Sequence, residues 1–213
     1  MTDQNNSRYS IEKQKEKVLE ILSQYEKWLG ITKEIMDSFK FTAVYNIKNK
    51  EVQHYHTYPK SVFGSEFNWD DPFYTTVYYD WNENEQKMVY SFPVSSSLFT
   101  GILQNDSAIQ EVGTANDLVS AKPFGSKSPS REEMLNHLIV SDIYQGFKYD
   151  RYRNVYYRVL LNGIPDHGEY SDLSAKPISI IIYDKEFNVV GEKLIGLSEN
   201  WNHLNMLVSK DGL

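Results

Sequence analysis

The stretch Tyr149-Asp150-Arg151-Tyr152-Arg153-Asn154-Val155-Tyr156-Tyr157-Arg158 decides the fold class of this chain. A tyrosine ends one apolar run, an aspartate can bond the backbone two residues on, and an asparagine tolerates a left-handed conformation just before the next apolar run begins. Those are the ingredients of a hairpin loop. The same pattern stands at Tyr79-Asp80 with Asn84 and at Tyr183-Asp184 with Asn188, and a weaker copy stands at Tyr45-Asn46 with Lys50. From Tyr45 the intervals are 79 − 45 = 34, 149 − 79 = 70 and 183 − 149 = 34 residues, or about one unit, two units and one unit. Repetition of one supersecondary unit implies a repeat architecture. Asp80, Asn84, Asp150, Asn154, Asp184 and Asn188 are therefore expected to be turn residues with a structural role.

Outward from these loops the apolar period is two. Expected hairpins are 41–46 with 51–58, 73–80 with 87–92, 98–103 with 108–112 through Asn105-Asp106-Ser107, 144–150 with 155–161, and 178–184 with 189–195. A last run begins near Met206. Aromatic residues at 14%, with 16 Tyr, suit a pleated, half-buried surface. Val155, Tyr157, Val159 and Leu161 make one apolar face, while Tyr156 and Arg158 share the other. Ile178 to Ile182 is apolar on nearly every position, as in a strand covered on both sides. Such strands arise when antiparallel sheets stack, as in a sandwich or between propeller blades.

Two segments break the pattern. Ile11, Val18, Leu19, Ile21, Leu22, Tyr25, Trp28 and Leu29 recur at helical spacing before Gly30, which predicts an amphipathic N-terminal helix with mixed charge on its polar face. Ser130 followed by Glu133 is a capping-box signature that places a short inserted helix over Arg131 to Ile139. The expected domains are 1–40, a helical extension, and 41–213, repeated antiparallel hairpins.

A net charge of −7 argues against a nucleic-acid or anionic-membrane binder, since either needs a basic field. With no cysteine the chain has no disulfide and no thiolate nucleophile. No run approaches the roughly 20 apolar residues of a membrane helix. Met1 to Ser10 is polar where an export signal would be basic and then apolar.

Met88-Val89-Tyr90-Ser91-Phe92-Pro93, the stretch Tyr149 to Arg158, and Lys176-Pro177-Ile178-Ser179-Ile180-Ile181-Ile182-Tyr183-Asp184 resemble the TolB-like six-bladed β-propeller lipoproteins of Bacteroidota, a family known as a domain of unknown function. The resemblance runs from about Phe73 onward. It implies a mainly β partial propeller of antiparallel stacked sheets and a place in the cell envelope. Members of that family begin with an export signal and a lipid-modified cysteine, and their rings close. At about 60 residues per large blade, about three blades fit this length.

Chemistry-bearing clusters are few. His54 and His56 form H-x-H on an expected strand, a weak metal-ligand geometry without an identifiable third ligand. Asp166, His167, Glu169 and Asp172 crowd one loop, but a calcium loop's alternation is missing. Asp70 and Asp71 precede Pro72 and, with Asp166 or Glu169, are the carboxylates a propeller-fold carbohydrate hydrolase would use. Tyr152 and Tyr156 interleave with Arg151, Arg153 and Arg158, a combination suited to a sugar-stacking or protein-binding surface, whereas the family resemblance favours Tyr157 in the core with Tyr156 and Arg158 stacking across a blade face. The expectation is a non-catalytic binding or scaffold module without a cofactor, with a glycan or an envelope protein as partner. A carbohydrate hydrolase and a structural piece without a ligand are the alternatives.

Overall fold

The computed structural model describes residues 41–64, 67–69, 72–103, 109–114, 121–125, 129–165, 172–202 and 204–213, apart from the side chains of 41–46, 52–55, 72 and 114. The predicted helix from Ile11 to Leu29 lies outside these residues, as do Asp70, Asp71, Asp166, His167 and Glu169. Chain packing divides the protein into Met1–Thr57 and Tyr58–Leu213. In the first unit β1 (Phe41–Asn46) pairs antiparallel with β2 (Glu51–Thr57).

The second unit holds two four-stranded antiparallel sheets. One is β3 (Tyr78–Asn82), β4 (Lys87–Ser91), β5 (Ser97–Gly101) and β6 (Gln110–Thr114), in that spatial order. The other is β7 (Ile143–Asp150), β8 (Val155–Leu161), β9 (Pro177–Tyr183) and β10 (Val189–Leu197). Each strand pairs with its sequence neighbour, so each sheet is a simple meander, and β3 of one runs beside β7 of the other.

The hairpin loops follow one rule, which the Tyr-Asp dipeptide obscures. The β1–β2, β3–β4 and β7–β8 loops close on the pairs Asn46 with Glu51, Asn82 with Lys87 and Asp150 with Val155, leaving four residues in each turn. The fourth turn residue is left-handed in all three: Lys50 at φ 59°, Gln86 at 52° and Asn154 at 55°. The structural partner of Asp150 is therefore Asn82 and not Asp80. Asn82 Oδ1 accepts the N–H groups of Asn84 and Glu85 (3.0 Å each), as Asp150 Oδ1 accepts those of Tyr152 (2.8 Å) and Arg153 (3.1 Å). These bonds satisfy donors that a tight turn would otherwise leave unpaired.

The two sheets stack through Val89 and Leu98 on one side and Tyr144, Phe147, Tyr156, Leu160, Ile181 and Tyr183 on the other. Burying a side chain of this size contributes about 1.5–3 kcal/mol. The face of β8 that carries Tyr156 and Arg158, the more polar one by sequence, is the face that meets the other sheet. Both residues are fully buried.

The opposite face of β8, with Val159 and Leu161, packs against Trp69, Tyr74 and Leu138. Leu138 belongs to α3 (Arg131–Val140), whose Ser130 and Glu133 form a complete capping box. Two single-turn helices, α1 (Lys60–Phe63) and α2 (Pro72–Thr75), precede the first sheet.

Two expected strands are corrected. Phe73 to Thr75 is helical because Pro72 suits the first position of a helix, and β3 begins only at Tyr78. The run near Met206 is irregular and holds one isolated bridge, Ser209 with Gly212.

Candidate functional site

Where β3 runs beside β7, the ends of the two sheets enclose a cleft of about 250 Å³. Asp80 ties the strands together. Its Oδ1 accepts the N–H of Trp81 (2.9 Å), and its Oδ2 accepts the N–H of Tyr149 (2.9 Å) and pairs with Lys148 Nζ at 3.0 Å. A residue read by sequence as a turn anchor is thus a cross-strap between sheets.

The loops add a second layer of bonds. Asn84 donates to the Tyr149 hydroxyl (2.6 Å), which donates to Asn154 Oδ1 (2.7 Å). Burial raises the Tyr149 phenol, against the Asn84 bond, and nearby Glu83 and Glu85 add to the rise. Deeper, Asn82 donates to the Tyr156 hydroxyl (2.5 Å), and burial pushes that phenol up to about 12. Tyr156 also stacks on Phe147 and Phe187, with interplanar angles of 15° and 18°.

The five residues proposed from sequence as a binding surface separate into three environments. Arg151 and Tyr152 line the cleft. Arg151 Nη2 donates to the Tyr152 hydroxyl (3.1 Å), its guanidinium lies 5.0 Å from the Tyr152 ring centroid, and Glu83 is 3.8 Å away. The bond to Tyr152 and the charge of Glu83 raise the Arg151 pKa.

Arg153 sits behind the cleft. It bonds Asp150 Oδ2 (2.9 Å) and the carbonyls of Ser209 (3.2 Å) and Lys210 (2.6 Å). Burial pushes the Asp150 carboxyl up. The bonds from Arg153, Tyr152 N–H and the Tyr157 hydroxyl outweigh it and hold the carboxyl below its ordinary range.

Tyr156 and Arg158 are in the core. Arg158 donates to Ser91 Oγ (2.8 Å) and to the carbonyls of Ser96 (2.8 Å), Phe92 (3.2 Å) and Ser95 (2.6 Å), and its guanidinium lies 3.5 Å from the Tyr144 ring centroid. A buried guanidinium needs this many acceptors because leaving water is costly. Its role here is to bind the Phe92–Ser96 loop to β8.

Of the other candidates, Asp172 and Asp184 belong to the second unit and do not line the cleft. Asp184 accepts the Asn188 N–H (2.8 Å) and side-chain amide (3.0 Å) in an exposed turn. Asp172 accepts the Ser174 N–H at the start of a 3₁₀ turn. His56 is buried at φ 38°, and the β1–β2 register skips it between the pairs Phe41–Thr57 and Thr42–Tyr55. The strict alternation that would align it with His54 does not pass through this bulge. Among the described residues no cluster of three or more His, Asp or Glu side chains has metal-binding geometry.

Sequence reasoning missed Lys148, Trp81, Glu83, Leu207 and Val208, which also line the cleft. Lys148 had a local signal: it precedes Asp150 by two and so shares a face of β7. The others meet only through tertiary packing.

A second cavity of about 270 Å³ is walled by Leu138, Ile143, Leu161 and Leu173, with Lys176 at its edge. Lys176 donates to the carbonyls of Leu138 and Ser141 (2.6 Å each) and Ile139 (3.4 Å), capping the C-terminal end of α3. Burial pushes its ammonium down to about 8, against the charge of Asp142.

Fold and cleft define a mainly β protein of stacked antiparallel meanders with a polar, aromatic site at the meeting of their first strands. Residues 2–194 match the family model described as a domain of unknown function, DUF4221. The chain belongs to the DUF4221 family. It is similar to the crystal structure of a DUF4221 family member from Bacteroides vulgatus ATCC 8482, with 27% identity and a TM-score of 0.54 over 73% of this chain. The chain spans 43% of that relative's length. No curated protein matches it.

Proposed function

We propose that this chain is a non-catalytic binding module on a propeller-type scaffold, and that the cleft between β3 and β7 takes a glycan. The observation that carries the reading is the distribution of hydrogen-bonding capacity. Among the described residues Lys148 Nζ has Asp80 as its one partner, and Arg151 donates one hydrogen bond, to the Tyr152 hydroxyl, and forms a looser ion pair with Glu83 at 3.8 Å. Several N–H donors therefore remain for a ligand. Glu83 supplies acceptors, and Tyr152 and Trp81 supply ring surface in the same cleft. Planar polar groups beside aromatic rings suit a sugar, whose hydroxyls need paired donors and acceptors and whose C–H face packs on a ring. Two positive and two negative side chains, Lys148 and Arg151 with Asp80 and Glu83, leave the cleft without net charge, which favours a neutral sugar over an anion.

The propeller reading is supported by two consecutive meanders with adjacent first strands and by the spacing of their equivalent turn anchors, 150 − 82 = 68 residues. On this reading β1 and β2 belong to a third blade, the segment from Ile11 to Leu29 is an amphipathic helix, and the remaining ring lies in sequence of the kind that makes the relative longer. A cell-envelope location and a lipoprotein character follow from the resemblance to Bacteroidota propeller proteins. A structural role without a ligand is the competing outcome.

Glycan-array binding followed by calorimetry tests the proposal. Tyr152→Ala, Arg151→Ala and Lys148→Met are each expected to weaken binding at least about tenfold, the loss of one charge-assisted bond or stacking contact. Binding to no glycan, or binding untouched by all three changes, refutes the site. Release of new reducing ends from a bound oligosaccharide refutes the non-catalytic reading in favour of a hydrolase.

A further inference from the structure

We infer that Arg153 is a latch that holds the segment following β10 in place as one wall of the cleft. This rests on the cleft being the binding site, and it adds a positioning residue and a moving part. Past the 3₁₀ turn Ser198–Asn200, the chain returns to the loop end of the second sheet. Met206 packs on the core cluster around Ile143 and Val159, while Leu207 and Val208 line the cleft.

Beyond them the backbone folds on itself. Ser209 N–H donates to the Gly212 carbonyl (2.8 Å), Gly212 N–H donates to the Ser209 carbonyl (3.3 Å), and Asp211 N–H donates to Ser209 Oγ (3.2 Å). This small loop offers the Ser209 and Lys210 carbonyls to one guanidinium. Arg153 donates to both carbonyls, Nη1 to Ser209 and Nη2 to Lys210, while its Nη1 also donates to Asp150 Oδ2. Arginine suits the place because its planar fork reaches several acceptors at once, whereas an ammonium is a point charge. Asp150 in turn is fixed by Tyr152 N–H, Arg153 N–H and the Tyr157 hydroxyl.

The wall this latch holds is not buried. Leu207 is 81% exposed, so hydrophobic burial alone does not hold the segment. An exposed leucine beside polar donors gains burial when the apolar face of a sugar covers it. The segment therefore has two states, latched and free, and a ligand that covers Leu207 favours the first. Arg153 does not line the cleft, and its effect on binding passes through the position of Leu207 and Val208.

The chain has no cysteine, so a single Leu207→Cys change provides a unique site for a nitroxide label. In the full chain the label is expected to show restricted motion. Arg153→Ala should free it and raise amide exchange over residues 206–212 at least about tenfold, with β8 exchange unchanged. Arg153→Lys, which can keep the Asp150 contact but cannot span both carbonyls, should free it as well. Removing residues 209–213 should do the same with Arg153 and Asp150 intact, which separates latch release from damage to the turn. A label equally restricted in the parent protein and in Arg153→Lys and the shortened chain overturns the latch. None of these readouts uses a ligand, so failure to bind any glycan overturns the binding reading while the latch result stands.

Discussion

Arg158→Met tests the joint between the two sheets most directly. The substitution retains an apolar stem, shorter than that of arginine, and removes the charged guanidinium, leaving Ser91 Oγ and the carbonyls of Phe92, Ser95 and Ser96 without that donor. Hydrogen bonds to charged groups contribute about 1.5–3 kcal/mol each. Four of them overestimate the effect, because the guanidinium no longer has to leave water and that penalty is itself several kcal/mol. The Tyr144 ring face adds about 2 kcal/mol when the cation is desolvated. The net expectation is a loss of about 3–5 kcal/mol, the range seen when one partner of a buried charge network is removed. For a chain of this size that lowers the melting temperature by roughly 6–20 °C. Thermal and urea unfolding followed by circular dichroism measure it. A Met variant that melts within about 2 °C of the parent, or that melts normally while losing ligand binding, would refute the assignment of Arg158 to the sheet joint.

Asp150→Ala is expected to lose about 1–3 kcal/mol, from a buried carboxylate that accepts four bonds, and Asp184→Ala measurably less, since that turn is exposed; paired urea titrations compare them. Because the Asp150 carboxyl is held below its ordinary range, its contribution is fully present above about pH 4 and fades as pH falls through the lowered folded value. Lys176 has the opposite sense: its folded ammonium titrates near 8 against an ordinary 10.5, so between those values the unfolded chain binds more protons and stability should rise with pH. Urea midpoints between pH 7.5 and 9.5 should climb in the parent and stay flat in Lys176→Met. Gly113→Ala places a Cβ 2.5 Å from the Phe187 carbonyl oxygen at a backbone φ of +52°, and should cost at least about 1–3 kcal/mol by denaturant unfolding.

Much of the fold was legible because the apolar period switches to two at Phe41, and because strong local signals bound the later strands. The expected pair 144–150 with 155–161 differs from β7 and β8 by one residue, and the Ser130–Glu133 capping box announced α3. Failures arose where a local signal had two readings. Tyr79-Asp80 matches Tyr149-Asp150 in letters, yet its turn starts two residues later at Asn82, and Asp80 is left free to reach the neighbouring sheet. Tyr156 and Arg158 admit both a binding surface and a stack across a blade face, because alternation reveals that two faces exist and not which one meets another sheet. The cleft was half legible for the same reason: Arg151 and Tyr152 belong to a visible loop, whereas Trp81 and Leu207 reach it from distant parts of the chain.

The meander order of the sheets has a kinetic consequence. Every strand pairs with its sequence neighbour, so each sheet of the second unit closes through short connections or a single longer one and can zip together early. Contacts that join the sheets span far more chain: 67 residues separate Arg158 from Ser91, and 74 separate Asn82 from Tyr156. Closing such loops is entropically slower, which places sheet docking after the rate-limiting barrier or at its late edge. Arg158→Met should therefore accelerate unfolding and leave refolding nearly unchanged, the signature of a contact formed late. Refolding slowed in proportion to the lost stability would instead mean that the joint forms first and the hairpins assemble upon it.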